Sequence, residues 1–256
     1  MPWSLNPAHA HLTNAFGDLA TVFALEGERL TSAPRSELIR VTLDGVRYYV
    51  KRYGRGAGAP RNWRLHWPRY LRHELLNFLP RPRVEAEWRN LERFARWNIP
   101  TAEIVAHGLE RRLGAFWRGA LVTRELEGAE DLHSLYKRDD PRLKDRRWVT
   151  LVSARIAAHT RTLHTHRFIH NDLKWRNILV DPEANVYFID CPLGACWHVP
   201  IPRHRIEKDI ATLDKVARHC LSATTRLRFY LDYRQQSRLT AADKAAIRRI
   251  TAFFDP

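Results

Sequence analysis

No run of apolar residues in this 256-residue chain approaches the ~20 that a membrane-spanning helix requires. The longest uncharged stretch, Cys191 to Pro202, is shorter and is broken by three prolines. Met1 to Phe16 lacks a basic segment followed by an apolar one, so nothing marks the chain for secretion and a cytoplasmic protein is expected. Cysteine is scarce and odd in number, at three, and Cys191 and Cys196 have neither the Cys-x-x-Cys spacing nor the histidine partners of a zinc site. Reduced thiols are expected. There is no internal repeat and no low-complexity tail, so a solenoid is not expected. Acidic residues are also in short supply: 28 Asp and Glu against 43 Lys and Arg leave a net charge of +15 and a pI near 10.3. Such a surface calls for an anionic partner. No helix-turn-helix, zinc-finger or RNA-recognition signature accompanies the charge, so nucleic acid is not the expected one.

What is present is an ordinary globular composition, 45% hydrophobic, enough for one or two cores in a single two-lobed domain. Thr21 to Tyr53 alternates in the strand manner, through Val22, Ala24 and Glu26, then Leu38, Arg40 and Thr42, then Val46, Tyr48 and Val50. A three-stranded meander is predicted there. Gly54 to Pro60 then leads into a basic, aromatic segment with Arg61, Arg64, Arg69, Arg72, Arg81 and Arg83 among Trp63, Trp67, Tyr70 and Phe78. Part of this segment is expected to be helical, and its arginines and tryptophans suit an anionic headgroup or a sugar-phosphate surface. From Val84 a helix is predicted up to Pro100, followed by strands at Glu103 to Gly108 and Gly119 to Leu126. The second half reads helical, with a long helix ending before Phe168, a small hairpin from Ile178 to Ile189, and helices from Arg205 onward. Thr240 to Asp243 carries a capping signal before Ile247 and Ile250. Strands followed by helices predict an α+β fold, with lobes at about 16–127 and 128–256.

The chemistry is concentrated in Ile169-His170-Asn171-Asp172-Leu173-Lys174-Trp175-Arg176-Asn177 and the downstream Val186-Tyr187-Phe188-Ile189-Asp190. Phosphoryl transfer needs a carboxylate to orient the attacking hydroxyl and oxygen ligands to hold Mg²⁺ on a triphosphate. Asp172, Asn177 and Asp190 supply that set, and the intervening hairpin returns Asp190 to the loop carrying the other two. Upstream, Glu87 shares a helical stripe with Leu91 and Phe94 and so points inward, where a carboxylate without a partner is costly. Lys51, at the end of a strand, would answer that charge. Glu85, two residues away, projects to a different face and is the rival.

These segments resemble the protein-kinase catalytic loop, His-Arg-Asp-Leu-Lys-x-x-Asn, and its metal-binding Asp-Phe-Gly. The resemblance implies ATP and Mg²⁺ as cofactors. Residue by residue, Asp172 stands for the catalytic base, Lys174 for the cation facing the γ-phosphate, and Asn177 and Asp190 for the metal ligands. Lys51 stands for the third-strand lysine on the α- and β-phosphates, Glu87 for its partner, and Asp209 for the aspartate that holds the loop backbone. The departures are informative. Asn171 replaces the loop arginine, Asp190-Cys191-Pro192 replaces Asp-Phe-Gly, and the first-strand turn from Thr31 to Ser36 contains no glycine. With Leu25-Glu26-Gly27, Glu87-Trp88 and Ile99-Pro100-Thr101, the chain resembles the bacterial lipopolysaccharide kinase family, which includes inner-core heptose kinases and Kdo kinases. That resemblance implies phosphorylation of an inner-core sugar hydroxyl, with peripheral contact at the cytoplasmic face of the inner membrane. An aminoglycoside- or choline-type small-molecule kinase is the second reading, although a cationic substrate wants an acidic pocket. A protein kinase and a kinase-shaped binding protein follow it.

Overall fold

The computed structural model describes residues 2–33, 36–54 and 82–255. The arginines and tryptophans expected to dock an acceptor, Arg61 to Arg81, therefore lie outside the described residues. The chain divides into two compact units, Met1–Arg89 with Ala102–Leu126, and Asn90–Thr101 with Glu127–Pro256.

The first unit is built on a six-stranded antiparallel sheet. Its strands are β1 (Ser4–Leu5), β2 (Glu28–Ala33), β3 (Ser36–Leu43), β4 (Val46–Gly54), β5 (Ile104–Arg112) and β6 (Ala115–Arg124), in the order β1-β5-β6-β4-β3-β2. The two-residue period of a strand sends Ile39, Val41, Tyr48 and Val50 to one face. There they meet Phe16, Leu19 and Val22 from two short helices, α1 (Thr13–Phe16) and α2 (Leu19–Ala24). Burying each such side chain contributes roughly 1.5–3 kcal/mol. Here the structure corrects the sequence reading, since Val22 and Ala24 belong to a helix and the meander begins only at Glu28. The local cause is Asp18, whose carboxylate accepts the Thr21 N–H at 2.8 Å and caps the helix. The far end is held by Arg52, whose guanidinium reaches the carbonyls of Val22 and Leu25 while pairing with buried Glu37 at 3.1 Å. Alternation alone cannot separate a short helix from a strand when a distant arginine secures its carbonyls.

Helix α3 (Arg83–Arg96) buries Val84, Glu87, Trp88, Leu91 and Phe94, a stripe of helical period. Its residues to Arg89 belong to the first unit and those from Asn90 to the second.

The second unit is mainly helical: α4 (Leu132–Lys137), α5 (Arg146–Thr165), α6 (Arg203–Cys220), α7 (Ala223–Arg234) and α8 (Ala241–Thr251). The predicted capping signal is a complete capping box, with Thr240 and Asp243 each accepting the other's backbone N–H. Strand β7 (Glu130–Asp131) joins β9 (Ile178–Val180) and β10 (Val186–Phe188) in one small sheet. Strand β8 (Phe168–Ile169) pairs with β11 (Ala195–Cys196). Among the described residues no helix is long and apolar enough to cross a membrane.

Candidate active site

In the first unit, the alternation that buries Val50 and Arg52 turns Lys51 and Tyr53 to the opposite face of the sheet, toward α3. Lys51 Nζ donates to Glu87 Oε1 at 2.9 Å, and Tyr53 donates its hydroxyl to Glu87 Oε2 at 2.6 Å. Glu87 is 4% exposed, so two donors on its two oxygens offset the loss of water. Burial, with the neighbouring Glu87 charge, holds the Tyr53 hydroxyl well above the usual phenol range, so it stays a donor. The rival Glu85 is buried too, but it pairs with Arg89 at 2.8 Å and Arg111 at 3.8 Å. Tyr53 was missed in the sequence. Its place two residues from Lys51, on the same strand face, is the signal that could have found it.

In the second unit, β8 delivers the chain into the loop His170 to Asn177. Asp209, on α6 and fully buried, accepts the backbone N–H groups of His170 and Asn171 at 2.8 and 2.9 Å. His164 Nε2 stands 3.5 Å from the same carboxylate, and its Nδ1 is 2.8 Å from the Tyr233 hydroxyl. The His170 ring is fully buried between Phe94 and Phe188, and burial lowers its pKa below the ordinary imidazole value. Neither ring nitrogen takes a hydrogen bond from the described residues, and the ring packs as part of the apolar core.

Asp172 sits among cations and amides. Lys174 forms a close ion pair with its Oδ1, Arg176 lies 4.0 Å from Oδ2, and Asn177 Nδ2 donates to its backbone oxygen at 2.9 Å and to Oδ2 at 3.3 Å. Asn177 is buried, and its amide oxygen takes no hydrogen bond from the described residues. The β9–β10 hairpin pairs Ile178 with Phe188, and the Ile189 N–H donates to the Asn177 carbonyl at 3.0 Å, which sets Asp190 next to this loop. An uncommitted amide oxygen beside an aspartate is a hard-oxygen donor pair suited to Mg²⁺, which keeps its remaining coordination for phosphate and water. Asp172, Lys174, Asn177 and Asp190 are thus brought together within the second unit. Lys51 and Glu87 form their own pair within the first.

The segment after Asp190 is anchored by Asn90, a fully buried α3 residue that sequence reasoning missed. Its side-chain amide donates to the carbonyls of Cys191 at 2.7 Å and Gly194 at 2.9 Å. An asparagine on the apolar stripe of a helix is the signal, because a buried amide needs partners.

A model of the "Lipopolysaccharide kinase (Kdo/WaaP) family" matches residues 33–250. The chain belongs to the lipopolysaccharide kinase family. A solved structure described as WaaP in complex with acyl carrier protein is similar over 100% of both chains, with a TM-score of 0.69 and 21% identity, a likeness of fold. The chain is also 32% identical to cyclin-dependent kinase 1 of Encephalitozoon cuniculi (strain GB-M1) over 69 residues, which are 27% of this chain and 23% of that protein. The chain thus spans about a quarter of that curated relative.

Proposed function

We propose that this protein transfers the γ-phosphate of ATP to a hydroxyl of heptose or Kdo in the lipopolysaccharide inner core, with Asp172 as the base that orients the acceptor hydroxyl. The observation that carries this reading is the Asp172–Asn177–Ile189 arrangement, in which buried Asn177 donates its side-chain amide to the loop aspartate and accepts, at its backbone carbonyl, the N–H of Ile189, the residue before Asp190. Asn177 Oδ1 and the Asp190 carboxylate would hold Mg²⁺, which when bound supplies charge neutralisation on the phosphates. Lys51, oriented by Glu87 and Tyr53, serves the α- and β-phosphates. Lys174, paired with Asp172, would exchange that partner for the γ-phosphate. Asp172 accepts the acceptor proton as the hydroxyl oxygen attacks the γ-phosphorus, the bond from that phosphorus to the β–γ bridging oxygen breaks, and ADP leaves. The acceptor is read as an anionic glycolipid met at the cytoplasmic face of the inner membrane, in keeping with the net charge of +15. The test is transfer of labelled phosphate from ATP to core lipopolysaccharide lacking its phosphates, with mass mapping of the product. Transfer by wild-type protein and none by Asp172→Asn supports the assignment. Equal transfer by both overturns it.

A partner reading also follows from an apolar cavity of about 250 Å³ within the second unit, lined by Leu132, Leu143, Trp148, Val152, Leu213 and Ile250. Cavities of this character bind apolar ligands. We infer that an acyl carrier protein, the partner named for the similar WaaP structure, also meets this chain, and that an acyl chain it carries would occupy the cavity. Acylated carrier should then bind and raise the melting temperature. Equal binding of the unacylated carrier would reject the cavity as its seat.

A further inference from the structure

The hairpin that joins β5 to β6 ends in a turn that folding alone does not favour. Arg112 pairs with Ala115, so Leu113 and Gly114 form a two-residue turn, and both have positive φ, +49° and +81°. Hairpin turns of this kind want Asn or Asp at the first position, since a larger side chain is strained there. Leu113 is moreover completely exposed, at 104% of its reference area. The chain thus carries an apolar side chain in a conformation that disfavours it, with no core contact in return, and such an outlier is a pointer to use.

The surroundings name the use. Arg111 and Arg112 precede Leu113, both exposed; Arg111 lies 3.8 Å from Glu85, and Arg112 makes no ion pair within 4 Å among the described residues. Its guanidinium instead lies 4.1 Å from the Trp117 ring centre. Trp117 is the extra residue of a bulge, because Glu110 pairs with Arg118 while Arg111 pairs with Phe116, and a bulge re-aims its side chain. The acids nearby among the described residues are already engaged: Glu110 is bound by two nitrogens of Arg118 at 2.8 and 3.0 Å, and Glu85 is held by Arg89 at 2.8 Å, with Arg111 at 3.8 Å. The last described residue of β4, Gly54, pairs with Arg118, so the tip extends past that neighbour. An exposed leucine preceded by arginines, with a tryptophan behind it, matches the layers of a bilayer surface: acyl boundary, phosphate, and interfacial aromatic.

We propose that the Arg111–Trp117 hairpin docks this protein on an anionic phospholipid bilayer, with Leu113 entering the acyl boundary and Arg112 on a lipid phosphate. This rests on the reading that the acceptor is a glycolipid of a membrane. It adds the surface that meets that membrane.

The test is co-sedimentation of full-length protein with vesicles of mixed phosphatidylglycerol and phosphatidylcholine, against phosphatidylcholine alone. Leu113→Asn relieves the turn, so it should hold or raise the melting temperature while weakening vesicle binding. Leu113→Asn with Arg112→Glu should lower partitioning tenfold or more, since an arginine at an anionic surface is worth about fivefold and the leucine adds its own burial. Leu113→Phe should retain binding. Those three results together support the hairpin. Wild-type binding that survives Leu113→Asn with Arg112→Glu overturns it. Phosphorylation of delipidated core oligosaccharide by wild-type protein is run alongside. If that transfer occurs and wild-type protein still ignores anionic vesicles, the docking inference fails and the kinase reading stands. If neither occurs, the acceptor reading itself has failed.

Discussion

The pair Lys51 and Glu87 can be tested as a unit. Lys51→Met removes a cation 2.9 Å from a carboxylate that is 4% exposed. Removing one partner of a fully buried pair costs about 3–5 kcal/mol, but the Lys51 side chain is 23% exposed, so about 2 kcal/mol is expected. For a chain of this size that is a fall in melting temperature of roughly 4–8 °C. Glu87→Gln leaves an oxygen for the Tyr53 hydroxyl and removes the charge, so it should cost about 1 kcal/mol. The double variant should also lose about 1 kcal/mol and not 3, because with a neutral amide at position 87 the missing ammonium exposes no bare charge. The coupling energy is then about 2 kcal/mol, within the range for residues in contact. Urea and calorimetric unfolding of the four proteins give it directly. Turnover at saturating ATP should fall strongly in each single variant and little further in the double. Additive stability losses, with singles summing to the double within about 0.5 kcal/mol, would refute the pair. So would a damaging Glu85→Ala beside a harmless Glu87→Ala.

Three further outcomes are expected. Asp172→Ala and Asp190→Ala should each abolish turnover, but titration of nucleotide with and without Mg²⁺ should find metal-dependent binding lost only in the Asp190 variant. Asp209→Asn places an amide NH₂ against one of the two backbone N–H groups it now accepts, so kcat should fall at least tenfold while nucleotide affinity holds; a normal kcat would refute its hold on the loop. His159, packed edge-on against Phe188, is lowered by burial and by Arg155 to about 4 from an ordinary 6.5. Between those values the unfolded chain binds a proton that the folded chain refuses, so stability is full above pH 6.5 and declines as pH falls toward 4. Urea midpoints across that range should slope less in His159→Gln than in wild type, and parallel slopes would exclude His159 as a source.

The parts of the fold legible in the sequence are those where one local pattern has a single physical solution. The helical stripe of Glu87, Leu91 and Phe94 fixed the phase of α3, and all three are buried. Thr240 and Asp243 announced α8 because a capping box satisfies its own backbone donors. The three glycine-free residues Val22, Phe23 and Ala24 could be read either way, and the decision rests with Arg52, some thirty residues on. Asn90 and Tyr53 were illegible for a related reason. A single amide or hydroxyl on an apolar face says that a partner exists and does not say where.

The strained backbone of the catalytic loop joins the two kinds of information. Asn171 and Asp190 both have positive φ, +64° and +54°, which costs most side chains about 1–2 kcal/mol and costs Asn and Asp least, because their short polar groups bond locally. Each flanks the Asp172–Asn177 pair in sequence or across the hairpin. At Asn171 the side chain also donates to the Leu193 carbonyl at 2.8 Å, while its N–H is held by Asp209. One residue therefore ties the segment after Asp190 to the loop that carries Asp172. In the resembling kinase pattern an arginine occupies that position and answers a phosphorylated segment. Asparagine is too short for that and carries no charge, but it tolerates the left-handed backbone and reaches a carbonyl. The substitution exchanges a switchable contact for a permanent one. An enzyme built this way is expected to be active as folded, without phosphorylation of its own chain.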